Sequence, residues 1–200
     1  MYDVRMDQRF DWPEPGGRDP APDPELHFVQ DFVNTIDIES ERDVIGTPDK
    51  LTDWLAAQGW LERAERIDAM GHARAIAVRE GLRALSRANN GEPLDLDRLQ
   101  DLNRAAAAVP MVASLTPGSW ALNPAGTGLD RYLARVLGSV LEAMADGSWS
   151  RLKSCRNDIC RWLFFDRSRN RSGTWCTMAV CGSRMKSRAY RARLRESAGA

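Results

Sequence analysis

The chain has 200 residues, of which 43% are hydrophobic and 28% charged, with Lys+Arg and Asp+Glu both at 28. This is ordinary globular composition on the scale of one or two domains, and it excludes wholesale disorder. The longest charge-free stretch, Ala105–Leu129, is interrupted by Pro110, Pro117 and Pro124, which excludes an apolar membrane-spanning helix of about 20 residues.

The neutral total hides a division. Residues 1–150 carry 15 basic and 25 acidic side chains, whereas residues 151–200 carry 13 basic and 3 acidic ones. A basic segment on an acidic body points to a polyanionic partner. No apolar run follows a basic start at the N-terminus, so no export signal is expected, and the expected setting is the cytoplasm, with reduced thiols.

Residues 1–24 hold five of the ten prolines and read as an extended leader. From Glu25 the apolar residues Leu26, Val29, Val33 and Ile36 recur at helical spacing. Thr47-Pro48 is a helix start, with Thr as cap and Pro in the first turn, and Gly59 a stop. A longer helix is expected from about Glu62 to Ala88, closed by Asn89-Asn90-Gly91. Asp95 caps another. Met111–Leu115 and Ser119–Leu122 flank Thr116-Pro117-Gly118 as a short hairpin. Leu129, Leu133, Val136, Leu137, Val140, Leu141 and Met144 form the clearest amphipathic stripe. Residues 25–147 thus read as a mainly α domain, and residues 148–200 as a separate small module.

All four cysteines lie in that module, as Cys155-x4-Cys160-x15-Cys176-x4-Cys181. Two close pairs separated by a hairpin-length insert suit a structural zinc ion, which takes four soft ligands in a tetrahedron. Two disulfides, an iron–sulfur cluster and a redox dithiol are the competing readings. Within the insert, Trp162–Phe165 is expected as a strand, Asp166–Gly173 as a turn and Thr174-Trp175 as the return. Cys176 and Cys181 stand about 140° apart on an unbroken helix. A turn is therefore expected between them, with a break at Gly182 and Ser183 capping a new helix. The resulting knuckle, hairpin and helix is similar to a treble clef.

On that last helix Arg184, Arg188, Arg191 and Arg195 fall within about 60° of one another, Lys186 is a further candidate contact, and Met185, Ala189, Ala192 and Leu194 are free to pack on the hairpin. Stacked like charges repel by a few tenths of a kcal/mol per pair, and a phosphate backbone would relieve this. Arg167, Arg169 and Arg171 form a second cluster. Double-stranded DNA is the expected partner. The alternatives are a protein-interaction module, including docking of the tail on the acidic body, and an RNA binder.

The segment RLKSCRNDICRWLFFDRSRNRSGTWCTMAVCGSRMKSRAYRAR closely resembles the CGNR zinc finger. DFVNTIDIESERDVIGTPDKLTDWLAAQGWL and REGLRALSRANNGEPLDLDRLQDLN resemble the ABATE domain that precedes it. The resemblance implies a bacterial, stress-related transcription regulator whose zinc ligands are Cys155, Cys160, Cys176 and Cys181, whose finger binds DNA, and whose helical domain senses an effector or dimerises. The tetrapeptide that names the finger reads Cys181-Gly182-Ser183-Arg184 here, with Ser in place of Asn.

No nucleotide loop or metalloprotease motif is present, and the two histidines, His27 and His72, lack a nucleophile context. No enzyme activity is expected. Asn34 and Thr35 on an apolar face, with Arg79 and Arg83 one turn apart, are candidates for a small-molecule effector pocket.

Overall fold

Four helices begin with the same device, an aspartate or threonine whose side chain accepts a hydrogen bond from a backbone N–H of the first turn. The computed structural model describes residues 20–198. Asp23 accepts from Leu26 N and opens α1 (Pro24–Val33). Thr47 accepts from Lys50 N and opens α2 (Pro48–Ala57). Asp68 caps α3 (Ala69–Asn89), and Asp95 caps α4 (Leu96–Ala107). Most of the proline-rich leader lies outside the described residues. Pro24, expected within it, already sits in the first turn of α1.

The long helix starts seven residues later than expected. Between Glu62 and Asp68 the backbone donors find side-chain partners instead of a helical ladder: Glu65 takes Glu62 N, and Thr52 on α2 takes Ile67 N. The segment is thereby tied across the top of α2, and α3 begins only at the Asp68 cap.

Strands β1 (Ile36–Asp37) and β2 (Arg42–Asp43) form a two-residue antiparallel ladder after α1. The hairpin expected around Thr116-Pro117-Gly118 is present as β3 (Met111–Thr116) and β4 (Ser119–Pro124), with Leu115 opposite Trp120. Helix α5 (Gly128–Asp146) follows and ends at Gly147, which takes a left-handed φ of 80°. Its stripe is buried at Leu129, Leu133, Val136, Leu137 and Val140, while Leu141 and Met144 remain at the surface. Among the described residues no helix is long and apolar enough to cross a membrane.

The core is centred on Tyr132 of α5. Its ring lies 5.0–5.5 Å from those of Phe28, Phe32, Trp54 and Trp60, which come from α1, α2 and the segment after α2. Tilted and edge-on pairs of this kind add about 0.5–1.5 kcal/mol each beyond area burial. The same core continues past Gly147 into Trp149, Leu152, Leu163 and Phe165.

After Gly147 a short 3-10 turn (Ser148–Arg151) leads to β5 (Leu152–Ser154), which pairs antiparallel with β6 (Leu163–Phe165) in the register Leu152–Phe165 and Ser154–Leu163. This corrects the expected hairpin. The partner of the aromatic strand precedes Cys155, so the first cysteine pair forms the connection between the strands, and residues 166–175 return as an irregular loop. The last helix, α6 (Ser183–Ala198), grows directly out of a π-helical turn at Met178–Gly182.

Helices α3 and α4 approach most closely at Gly81, where an added Cβ would sit 2.4 Å from Leu102 Cβ and 3.1 Å from Arg98 O. Alanine would gain about 1 kcal/mol of helix propensity over glycine, but overpacking costs about 1–3 kcal/mol, and here the obstacle includes backbone. Gly81→Ala is expected to lower the midpoint of urea unfolding, against the propensity trend.

Candidate metal centre and basic surface

Four sulfurs converge at one point. The Sγ atoms of Cys155, Cys160, Cys176 and Cys181 all lie within 4.8 Å of one another, and all four residues are buried. Cys160–Cys176 is 3.7 Å and Cys176–Cys181 is 3.5 Å. A zinc ion with four bonds of about 2.3 Å requires sulfurs about 3.8 Å apart. A disulfide requires about 2.05 Å, and none of the four is joined in one. The donor set and its spacing fit one tetrahedral zinc ion. Hydrogen bonds from Cys160 and Cys176 outweigh burial and draw the Cys155 thiol well below its ordinary value, which favours the thiolate of that residue.

Local structure delivers each pair. In the first, Cys155 N donates to Trp162 O, and Asn157 O receives both Cys160 N and Arg161 N, folding the knuckle back on itself. Arg161 closes it with a positive φ of 51°. In the second, Cys176 precedes the helix, Thr177 caps it by accepting from Val180 N, and Cys181 sits inside the π turn. The two cysteines can share an ion because only one is helical. No break occurs at Gly182, and Ser183 is not a cap: it lies in helical conformation and donates its hydroxyl to Met178 O at 3.0 Å. Gly182 lets the Met178 side chain fold close over it: an added Cβ would stand 2.6 Å from Met178 Sδ and push that flexible thioether aside.

Two supporting groups escaped the sequence reading. The buried Asn157 donates Nδ2 to Cys181 Sγ at 3.5 Å, the kind of outer contact that steadies a metal ligand. Lys153, on β5, turns inward and donates to Asp166 Oδ2 at 2.7 Å and to the carbonyls of Arg171 and Gly173. Burial opposes the Asp166 charge, but bonds from Lys153, Ser168 and Gly173 N win and hold its pKa at about 2. This pair organises the arginine-rich loop.

The candidate effector residues do come together, but their polar atoms are taken by the protein. Asn34 accepts from Leu163 N at 2.8 Å and donates to Leu163 O at 3.0 Å. Arg79 makes a two-pronged pair with Asp43 at 2.7 and 2.9 Å and reaches Thr35 Oγ1. Arg83 binds Glu80, Val33 O and Arg161 O. Asn34 and Arg83 thereby attach the finger to the body, through Leu163 and Arg161 O, whereas Arg79 and Thr35 bind within the body. The groove of about 830 Å³ between α3 and α4 is lined by Arg74, Ala77, Arg104 and Ala105 instead.

All eight candidate nucleic-acid contacts, Arg167, Arg169, Arg171, Arg184, Lys186, Arg188, Arg191 and Arg195, are exposed. Arg167 and Arg171 also tie the loop to Pro20 O and Ser150 Oγ. Arg184 pairs with Glu39 of the body at 2.7 Å. Among the described residues, no carboxylate stands within ion-pair distance of Lys186, Arg188, Arg191 or Arg195. The packing expected for Ala189, Ala192 and Leu194 is absent: all three are exposed, and only Met185 is half-buried. The finger docks through its hairpin and knuckle, leaving α6 to project.

A model of the CGNR zinc finger matches residues 151–194. A model of ABATE, described as "Putative stress-induced transcription regulator", matches residues 26–147. No curated protein matches the chain.

Elemental analysis is expected to give one zinc per chain, falling to none in Cys176→Ser. Asp166→Asn leaves the Lys153 ammonium buried without its counter-charge, a change that costs about 3–5 kcal/mol, read as a lower unfolding midpoint at neutral pH. Because the carboxylate pKa is depressed, the stabilisation from this pair is complete above the ordinary 3.8 and is lost as pH falls towards about 2.

Proposed function

Because this chain belongs to the ABATE family and ends in a CGNR zinc finger, we propose that it is a transcription regulator that binds double-stranded DNA through the projecting helix α6. The observation that carries this reading is the exposed stripe Arg184, Arg188, Arg191 and Arg195, of which only Arg184 has a carboxylate partner among the described residues. A solvent-surrounded row of cations gains when phosphates replace its counterions, and arginine can also grip guanine edges in the major groove. Arg169 and its neighbours in the loop extend the cationic surface. The zinc ion has a structural part, since four thiolates close its coordination and leave no open position for catalysis.

Duplex is favoured over single-stranded RNA by the finger's own aromatics. Trp162, Phe164 and Phe165 are buried, so these three do not form the stacking platform that single strands use. The acidic body then serves regulation, by answering a small-molecule effector or by pairing two copies so that two fingers meet two half-sites.

Fluorescence anisotropy of a labelled duplex against salt tests the reading. With about five phosphate contacts, log K should fall against log salt with a slope of about −4.5. Arg188→Ala with Arg191→Ala should weaken binding and reduce the slope by about 2 without loss of zinc. A salt-independent affinity, or a double variant that binds like the parent, would refute it.

A further inference from the structure

We propose that the β3–β4 hairpin is a self-association surface that joins two copies of this chain. The ladder places Met111, Ala113 and Leu115 opposite Pro124, Leu122 and Trp120, and directly opposed residues share a face of the sheet. Near its base that face is supported: Met111 packs against the core, and Leu122 O lies 3.7 Å from the position a Gly138 Cβ would take on α5. Toward the tip the support ends. Leu115 is 83% exposed and its partner Trp120 is 55% exposed. On the adjoining α5, Leu141 and Met144 add exposed apolar surface at 40% and 44%. A single exposed leucine is ordinary, but a leucine and a tryptophan directly opposed and both exposed on one hairpin mark an interaction surface.

The charge pattern selects the occupant. The hairpin lies within Ala105–Leu129, which carries no charged side chain, while residues 1–150 as a whole have 25 acidic against 15 basic groups. Two identical acidic bodies repel wherever their carboxylates meet. The hairpin is where they can approach without opposing like charges. Among the described residues its sheet has two strands only, with no further strand on either outer edge, and neither strand carries a charged side chain of the kind that usually guards an edge. A patch that is apolar, uncharged and open-edged complements itself across a two-fold axis. The inference stands apart from DNA binding, and its test uses no nucleic acid.

Analytical ultracentrifugation of the full zinc-loaded chain should show the mass rising from one chain to two over a hundredfold concentration range. Hydrogen exchange of the amides in 111–124 should slow over the same range. Leu115→Asp and Trp120→Asp should each weaken association by about tenfold or more, with helical circular dichroism and zinc content unchanged. A one-chain mass at every concentration overturns the proposal. So does a dimer that persists in both variants, or hairpin protection that does not depend on concentration, which would mean that the chain covers its own hairpin. Because the exchange measurement needs no substitution, the proposal stays falsifiable even if a variant misfolds.

Discussion

The architecture depends on how one short strand satisfies its outer edge. A three-residue strand such as β6 has a backbone donor and acceptor on the side away from its partner, and burying them unpaired would cost about 1–3 kcal/mol each. Asn34, at the end of α1, answers both groups of Leu163 with its amide, and Gln30 one turn earlier adds a second donor to the same carbonyl. A side-chain amide thus takes the place of a third strand. Asn89 and Asn90, at the end of α3, do the same for the carbonyls of Trp149, Leu152, Ser154 and Thr174. Body and finger thus meet in large part through amide side chains on the helices and backbone groups on the finger, beside the shared apolar core and the Arg161–Glu92 and Arg184–Glu39 pairs.

The division of charge along the chain has a structural resolution. Part of the acidity of the body is engaged within it, on Arg79 and Arg83 through Asp43 and Glu80, on Arg135 through Glu25, and on Arg87 through Glu92, which also takes Arg161 of the finger. Among the described residues only Glu39 pairs with α6. The basic helix is therefore not neutralised by the body that carries it. Its field stays available in solution, although exposed charges of this sort act over about 8 Å at physiological salt.

The helical body was legible because its signals are local: a capping side chain, a proline in the first turn and an apolar stripe are all read within a few residues. The four-cysteine spacing was legible for the same reason. What could not be read was distant pairing. Asn34 and Leu163 are separated by 129 positions, and nothing near Asn34 distinguishes a strand-capping amide from a ligand-binding one. The inward turn of Lys153 depends on Asp166 and on a loop that closes over it. The start of α3 was misplaced because Glu62–Asp68 has helix-forming composition, and the hydroxyl that diverts its backbone belongs to Thr52 on another helix. Ser183 looked like a cap because serine usually is one at a helix start. The π turn moves the true start back to Thr177.

That turn has a mechanical consequence. Because Cys181 lies inside the helical segment that runs on into α6, the last ligand and the arginine row share one rigid rod. Sixteen helical residues span about 24 Å, so a tilt of about 10° at the root swings the tip by about 4 Å, more than the 3.4 Å rise of one base pair. The sulfur cage is the pivot of a lever, and the accuracy with which its geometry is held decides which phosphates the far arginines can touch.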